Sequence, residues 1–168
     1  KSRRKSAPKP FTTSVLQQDA ANKLNFTTKK TMMVAQELYE GIDIKGEGTV
    51  GLISYIRTDS KRISEEAREK AKDYIVDSIG QNYYKDHTKD SKGKKEKKVQ
   101  DAHEAIRPTS VERTPDSIKD SLSKDQYKLY NLIWRRFVAS QMEDSIFDVL
   151  NVECNIENLV FKATGSKL

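Results

Sequence analysis

The sequence is poor in cysteine, proline and glycine: its 168 residues include one Cys, four Pro and seven Gly. A single cysteine, Cys154, cannot form an internal disulfide bond, which indicates a reducing compartment. So few glycines and prolines exclude collagen and low-complexity fibres. The chain also lacks the run of about 18 apolar residues that a membrane-spanning helix needs, and no apolar signal segment follows its basic start. These absences predict a soluble cytoplasmic protein with no membrane partner.

What the sequence has in quantity is charge, because Asp, Glu, Lys and Arg make up 33% of it and apolar residues only 35%. Thirty-one basic against twenty-five acidic residues leave a net charge of +6, which agrees with nucleic acid as a partner without identifying one. The length suits one domain, or one domain with part of a second. Because the first residue is Lys rather than Met, we expect the chain to be a piece of a longer protein.

Charge and apolar periodicity divide the chain into three parts. Residues 1–10 contain five basic residues, two prolines and no acid, so we expect an extended basic lead-in, held only by something outside the chain. Residues 11–143 carry apolar side chains mostly at helical spacing. After Met142 the period changes to alternation, which predicts a β-hairpin over 144–168 with its turn between Asn155 and Asn158. The expected fold is mainly α with a small β component (α+β).

Capping residues predict where the helices of residues 11–143 begin and end. The first helix is predicted to open at the Thr12-Thr13-Ser14 cluster, where Ser14 and Gln17 have the spacing of a capping box, as do Ser123 and Gln126. Further helix starts are predicted at Thr27 or Thr28, at Ser64 and, for a brief helix, at Thr114 and Pro115, with helix ends at Gly41 and Gly80. The apolar stripes predict core or domain-contact positions at Met32, Met33, Leu38, Ile75, Ile79, Tyr130, Ile133, Trp134 and Phe137.

Two segments between the helices have a different composition. The segment 49–56 is rich in β-branched and aromatic residues, which predicts a short strand or an extended run. The lysine-rich segment 85–98 has too few apolar side chains to offset the entropy of ordering, so we expect a flexible loop there. His87 lies within that loop and is expected to be a surface residue.

The sharpest local motif is the segment Gly51–Ser60 (GLISYIRTDS), in which Tyr55 precedes Arg57 by two residues. In an extended segment both side chains project to the same side. A guanidinium there would stabilise a phenolate or a neighbouring phosphate, and a tyrosine needs such help to act as a nucleophile at neutral pH. On spacing alone, a half-buried strand tyrosine beside a surface arginine is the commoner explanation.

A second motif gathers His103, Glu104 and Arg107 just after the lysine-rich segment. Arginine binds a phosphate through a forked pair of donors, and histidine can act as a donor or a proton carrier. A lone histidine is more often a structural hydrogen-bonding group. The sequence contains no Cys and His cluster with zinc spacing, no glycine-rich nucleotide loop and no tight carboxylate group for magnesium, so we expect no metal site in this chain.

Six motifs, taken in this order, resemble the bacterial DNA topoisomerases I of type IA. They are Pro10–Gln18 (PFTTSVLQQ), Lys29–Met33 (KKTMM), Ala35–Glu40 (AQELYE), Gly51–Ser60, Ala102–Thr109 (AHEAIRPT) and Leu129–Met142 (LYNLIWRRFVASQM). The resemblance covers nearly the whole chain, from about Lys9 to Gly165. Ile56 and Asp59 favour the topoisomerase I branch, because the topoisomerase III branch usually has proline and glutamate at these positions.

The resemblance implies a role for each site residue. Tyr55 matches the nucleophile, which attacks a phosphodiester of single-stranded DNA and becomes joined to its 5′ phosphate, and Arg57 matches a residue that orients that phosphate. Supporting or DNA-binding roles are implied for the other polar residues of the two motifs: Thr58, Asp59, Ser60, His103, Arg107 and Thr109. By resemblance, residues 11–143 form the winged-helix-like tyrosine domain, and residues 1–10 and 144–168 are stubs of an adjoining arch domain.

The resemblance also implies partners that this chain does not contain. Family enzymes bind Mg²⁺ through a Toprim domain, so we expect Mg²⁺ as a cofactor of the whole enzyme and none for this chain. The implied substrate is single-stranded or underwound DNA in the bacterial nucleoid, and the remaining domains of the parent enzyme are implied partners. Two other interpretations stay open: a non-catalytic basic nucleic-acid-binding domain, and a structural partner that docks through the hairpin edge.

Overall fold

The computed structural model describes residues 1–85 and 103–168. Its helices are α1 (Thr13–Leu24), α2 (Thr28–Glu40), α3 (Glu65–Ser78) and α4 (Lys124–Ser140). Its strands are β1 (Ser2–Lys5), β2 (Ile42–Ile44), β3 (Gly48–Val50), β4 (Ser145–Ile156) and β5 (Leu159–Lys167). The predicted α+β class is confirmed. The predicted flexible loop 85–98, with His87, lies outside the described residues apart from its first position.

Three of the predicted helix starts are confirmed by the hydrogen bonds that cap them. The side chains of Thr27 and Ser64 accept from backbone N–H groups three residues on, at 3.1 Å and 3.3 Å. Ser123 and Gln126 form the complete capping box of α4, with bonds of 3.2 Å and 2.9 Å. Each bond satisfies an amide that would otherwise lack a partner in the first turn.

The helix start predicted at the Thr12-Thr13-Ser14 cluster is also confirmed, but the capping box predicted there and the helix start at Pro115 are wrong. The N-cap of α1 is Thr12, without a side-chain capping bond, so Ser14 lies inside the helix and forms no capping box with Gln17. No α-helix begins at Pro115: the chain makes a turn over 115–118 and then a short 3-10 helix, Lys119–Ser121. A proline suits either a first helical turn or an ordinary turn, so the sequence pattern did not distinguish them.

The helical body has two apolar groups, and α4 contributes to both. The larger group, which includes Leu16, Leu38 and Tyr130, packs α1, α2 and α4 together, and the smaller one packs Ile75 of α3 against Phe137. None of the helices in the described ranges is long and apolar enough to span a bilayer.

Two of the residues predicted to be core or domain-contact positions are solvent-exposed instead. Met33 is 56% exposed, because the buried stripe of α2 runs through Thr31, Val34, Ala35 and Leu38. Ile79 is 42% exposed because it lies just beyond the last turn of α3. Met32 and Trp134 are partly buried, and the other five predicted positions are buried: Leu38, Ile75, Tyr130, Ile133 and Phe137.

The strands β1, β4 and β5 form an antiparallel sheet in the order β1-β4-β5. The predicted hairpin is confirmed, with a turn at Glu157 and Asn158, and it pairs Ile156 with Leu159. The basic lead-in is extended as expected, but β4 of the same chain holds it, with Ser2 opposite Asp148 and Lys5 opposite Ser145. Side chains of both strands of the hairpin are largely exposed, including Leu150 and Phe161.

A small antiparallel hairpin of β2 and β3 precedes the Tyr55 motif. The strand predicted over 49–56 is therefore only partly correct, because β3 ends at Val50. Beyond Val50 the chain forms one isolated β-bridge, between Ile53 and Pro108, in place of a continuous strand. The chain then bends at Ile56 and Arg57. This bend positions the site described next.

Candidate functional site

The segment 51–60 is anchored by apolar side chains on either side of Tyr55. Leu52, Ile53 and Ile56 are at most 1% exposed and belong to the larger apolar group, whereas Tyr55 between them is 49% exposed. Burial of three close neighbours holds the backbone in place, because those side chains cannot leave the core without a large loss of apolar burial. The phenol of Tyr55 is thus presented to solvent from a fixed backbone.

The ring of Tyr55 rests against the end of α2. Its centroid lies 5.5 Å from that of Tyr39, with an angle of 69° between the rings, the edge-to-face geometry that aromatic pairs favour. The backbone also meets α2 here, since the Leu52 N–H donates to the Leu38 carbonyl at 2.8 Å. Gly51 permits this approach, because a Cβ there would lie 2.9 Å from the Tyr39 carbonyl oxygen.

The second motif, residues 103–109, lies beside the first and fixes it through backbone hydrogen bonds. The Ser54 N–H donates to the Arg107 carbonyl at 2.9 Å, and the Ser54 hydroxyl donates to the Ala105 carbonyl at 2.8 Å. Thr109 donates twice, from its N–H to the Leu52 carbonyl at 3.0 Å and from its hydroxyl to the Gly51 carbonyl at 2.8 Å. The structure therefore brings the two motifs together.

The start of α1 holds the other end of the tyrosine segment. The Thr13 hydroxyl lies 2.7 Å from the Ile56 carbonyl, to which it donates, and accepts from the Thr58 N–H at 2.9 Å. The Thr13 N–H donates to the Thr58 carbonyl at 2.9 Å. The Thr58 hydroxyl in turn accepts from the Ser60 N–H at 3.0 Å. These bonds fix the bend after Tyr55.

A shallow cavity of about 500 Å³ opens beside this bend. Its lining consists of Thr13, Ser14, Arg57, Thr58, Asp59 and His103. Arg57, Asp59 and His103 are exposed, so a cation, a carboxylate and an imidazole face solvent around one depression. Four predicted site residues thus meet at this cavity: Arg57, Thr58, Asp59 and His103. Tyr55, Ser60, Arg107 and Thr109 are outside its lining.

Arg107 is engaged with protein groups. Its Nη2 and Nε donate to one carboxylate oxygen of Glu104 at 2.6 Å and 2.9 Å, and its Nη1 donates to the Pro108 carbonyl at 3.1 Å. Glu104 also accepts from the Ser64 N–H at 2.7 Å. Burial by itself would raise the pKa of Glu104, but the Ser64 hydrogen bond and the Arg107 charge together lower that pKa below its ordinary value.

The geometric reasoning that related Tyr55 to Arg57 is wrong in one respect. It assumed a continuous extended strand, but the bend at Ile56 and Arg57 interrupts the alternation of side chains. The relative direction of the Tyr55 and Arg57 side chains therefore depends on the hydrogen bonds by which Thr13 holds the bend, and not on the alternation of a β-strand.

Sequence analysis assigned no site role to Thr13, Ser14 and Ser54, and it named Glu104 in the second motif without assigning it a role. Thr13 and Ser14 stand in a Thr-Thr-Ser cluster that was interpreted only as a helix start, and Ser54 stands inside the tyrosine motif. Thr13, Ser54 and Glu104 each have a hydrogen-bond partner 40 to 53 positions away along the chain, which no local pattern identifies.

Within residues 1–85 and 103–168, no three metal-ligating side chains come close enough together to hold an ion. The residues present therefore do not fit Mg²⁺ in the described part of the chain.

Comparison with known proteins identifies the family. A family model described as DNA topoisomerase matches residues 1–168. Among solved structures, full-length topoisomerase I from Thermotoga maritima is similar to this chain, with a TM-score of 0.83 and 40% sequence identity. The similarity covers 99% of this chain and 26% of the Thermotoga chain, so this chain spans about a quarter of that protein's length.

Proposed function

The chain belongs to the bacterial type IA DNA topoisomerases, and from that premise we propose that it supplies the nucleophile of a DNA strand-cleavage reaction. The nucleophile is Tyr55. The substrate is single-stranded or underwound DNA, and the result, in the whole enzyme, is relaxation of negatively supercoiled DNA in the bacterial nucleoid.

The proposed reaction exchanges one phosphodiester for another. The phenolic oxygen of Tyr55 attacks the phosphorus, the bond from phosphorus to the 3′ oxygen breaks, and Tyr55 becomes joined to the 5′ phosphate. The phenol loses a proton and the departing 3′ oxygen gains one, so charge and protons balance. Because the two ester bonds have similar energies, religation by reversal requires no ATP, and another strand can pass while the break is open.

The observation that supports this proposal is the exposure of Tyr55 on a fixed backbone. A nucleophile must reach a bound phosphate without losing its orientation, since proximity and alignment lower the barrier to attack. Tyr55 is 49% exposed, while its neighbours Ile53 and Ile56 are buried. Burial of the phenol itself would have contradicted the proposal.

The cavity beside the bend supplies groups for the scissile phosphate. Arg57 is exposed there, and its guanidinium would orient the phosphate and offset the charge that develops on it. We propose that Thr58, Asp59 and His103, on the same lining, bind or position the DNA backbone. Asp59 bears a negative charge, so its contact would be with a donor of the DNA rather than with a phosphate oxygen.

The other three predicted site residues, Ser60, Arg107 and Thr109, form hydrogen bonds within or next to the tyrosine segment. Arg107 and Thr109 are tied to Glu104 and to the Gly51 carbonyl, and Ser60 closes the turn with Thr58. In this proposal they are positioning residues, since their hydrogen bonds are to protein atoms. Mg²⁺, bound by a Toprim domain outside this chain, remains part of the proposal for the whole enzyme, and no step here is assigned to it. The chain by itself is proposed to be nearly inactive without its partner domains.

The test replaces Tyr55 by Phe in the full-length enzyme and measures covalent DNA adduct on a single-stranded oligonucleotide. Tyr55→Phe removes only the attacking oxygen, so we expect complete loss of the adduct with unchanged thermal stability. Tyr83→Phe is the matched control, because Tyr83 is 54% exposed and loses the same hydroxyl. Adduct retained by Tyr55→Phe, or lost equally by Tyr83→Phe, contradicts the assignment.

The alternative of a non-catalytic nucleic-acid-binding domain is favoured by one observation, the exposed basic side chains of Arg3, Arg4 and Lys5 on β1. It predicts binding of single-stranded DNA that weakens steeply with salt, with no adduct at any enzyme concentration. A salt titration alongside the adduct measurement therefore distinguishes the two functions.

A further inference from the structure

A second cavity lies where the three-stranded sheet joins the helical body. It has a volume of about 310 Å³ and is lined by both chain crossings between these parts, through residues 6–10 of the first and Ser140, Gln141 and Asp144 of the second. The crossings are bonded to each other, since the Ala7 N–H donates to Asp144 Oδ1 at 3.0 Å. None of the residues discussed for the Tyr55 site lines this cavity.

Basic side chains dominate the lining. Lys9, Lys61, Arg68 and Lys85 come from four separate stretches of the chain, and Asp144 is the single acid among the lining residues. Within the described residues, Lys9, Lys61 and Arg68 form no ion pair. Cations collected around one concavity, with no carboxylate to neutralise three of them, attract an anion of matching size.

A buried polar group at the same cavity lacks a partner. Gln141 is 3% exposed, its Nε2 donates to the Ser140 hydroxyl oxygen at 2.9 Å, and that hydroxyl donates to the Phe137 carbonyl at 2.6 Å. Gln141 Oε1 is a buried acceptor without a hydrogen-bond partner among the described residues. This oxygen exposes less than 1 Å² to solvent, so a ligand in the cavity does not reach it, and the side chains of Lys9, Lys61 and Arg68 are the groups that would attract one.

We propose that this cavity binds a phosphate group. Its oxygens would accept hydrogen bonds from Lys9, Lys61 and Arg68. Two sources share this chemistry: free phosphate or a phosphate monoester, and the backbone of a bound DNA strand. Lys61 follows Asp59 of the first cavity by two residues, a chain distance of at most about 7 Å, so one strand could reach both cavities.

The first experiment titrates inorganic phosphate into the intact protein at constant ionic strength and measures binding by calorimetry. The double variant Lys61→Gln with Arg68→Gln removes two proposed donors. The control Lys29→Gln with Arg135→Gln makes the same charge change at exposed residues that form no ion pair within the described residues. We expect the cavity variant to weaken binding by about tenfold or more relative to the control, because charge-assisted hydrogen bonds are lost.

A further variant is expected to strengthen phosphate binding, so that a loss of binding through misfolding can be distinguished from a loss of phosphate contacts. Asp144→Asn removes the one acid of the lining while its amide oxygen can still accept from Ala7. Phosphate should then bind several-fold more tightly, and an unfolded protein cannot produce that result.

The second experiment identifies the source of the phosphate by measuring binding of a single-stranded oligonucleotide at several salt concentrations. If a DNA phosphate occupies the cavity, the cavity variant lowers the slope of log K against log salt by about 0.7 per lost contact, relative to the control. If only the phosphate titration responds, the site belongs to free phosphate or a monoester. If neither ligand distinguishes the cavity variant from the control, the proposal is wrong. These readouts need no cleavage, so they are independent of the outcome at Tyr55.

Discussion

At the scale of single residues, the chemistry of this chain depends on which side chains are kept out of the core. Tyr55 is exposed because Ile53 and Ile56 on either side of it are buried, and Arg57 is exposed because the chain bends at that point. Arg107, by contrast, is drawn to Glu104 and the Pro108 carbonyl. Two arginines that look alike in the sequence therefore differ in what they can offer a phosphate.

The ion pair between Glu104 and Arg107 predicts a pH dependence of stability. The pKa of Glu104 is lowered in the folded protein, so its contribution is fully present above the unfolded pKa, near 4.5, and is lost as the pH falls through the folded pKa. Glu104→Gln should cost about 1 to 2 kcal/mol at pH 7, since charged hydrogen bonds are lost. Urea unfolding at pH 7 and at pH 3 measures this.

At pH 3 the difference between wild type and Glu104→Gln should shrink, because both side chains approach neutrality. A matched control is Glu66→Gln: Glu66 also has a lowered pKa, caused first by its hydrogen bond from Lys70, but it is fully exposed. It should change stability little at either pH. An equal, pH-independent loss in both variants would show that the pair with Arg107 has no special role.

At the scale of elements, capping chemistry determines where the helices begin. The capping box of α4 joins Ser123 and Gln126 by two reciprocal bonds, and Gln126 Nε2 also donates to Glu37 of α2 at 2.9 Å. The cap therefore fixes both the start of α4 and its contact with a neighbouring helix.

Removal of this cap should destabilise the protein measurably. Ser123→Ala leaves the Gln126 N–H without its acceptor, and we expect a loss of about 1 kcal/mol in the free energy of unfolding. Ser123→Gly should cost only a few tenths of a kcal/mol, because glycine suits the cap backbone and lets water reach the amide. Denaturant midpoints of the two variants test this order, and a reversed order would be inconsistent with a capping role.

At the scale of the whole molecule, Trp134 on α4 connects the two apolar groups. It is partly buried against both, its ring lies 5.5 Å from Tyr74 in an edge-to-face contact, and its Nε1 donates to the Val111 carbonyl at 2.9 Å. The two groups should therefore unfold together, with one transition.

Trp134→Ala should lower the free energy of unfolding by about 3 kcal/mol, because it leaves a cavity between the groups. Trp134→Phe keeps most of the ring and loses one hydrogen bond, so about 1 kcal/mol is expected. In the wild type, fluorescence of this sole tryptophan and far-UV circular dichroism should give coincident denaturation curves. Two separate transitions in the wild type would indicate that the groups fold independently.

The sequence alone determined the features that depend on near neighbours in the chain. The α+β class, four of the helix starts and the hairpin after Met142 follow from capping residues and periodicity, which act over a few positions. The two motifs that carry Tyr55 and His103 were also identifiable from the residues themselves. Where the prediction failed, as at Met33, Ile79 and Pro115, the residue lay at the side or the end of an element, where local preference is weak.

Only the tertiary structure decided how the site is assembled. Thr13 bonds to a segment more than forty positions away, and Ser54 bonds to Arg107 across a separation of 53 positions. Such bonds form because the packing of the buried groups places these polar groups within reach of each other. The cavity at the joint between sheet and helices has the same origin, since its cations come from four stretches that nothing in the linear sequence relates.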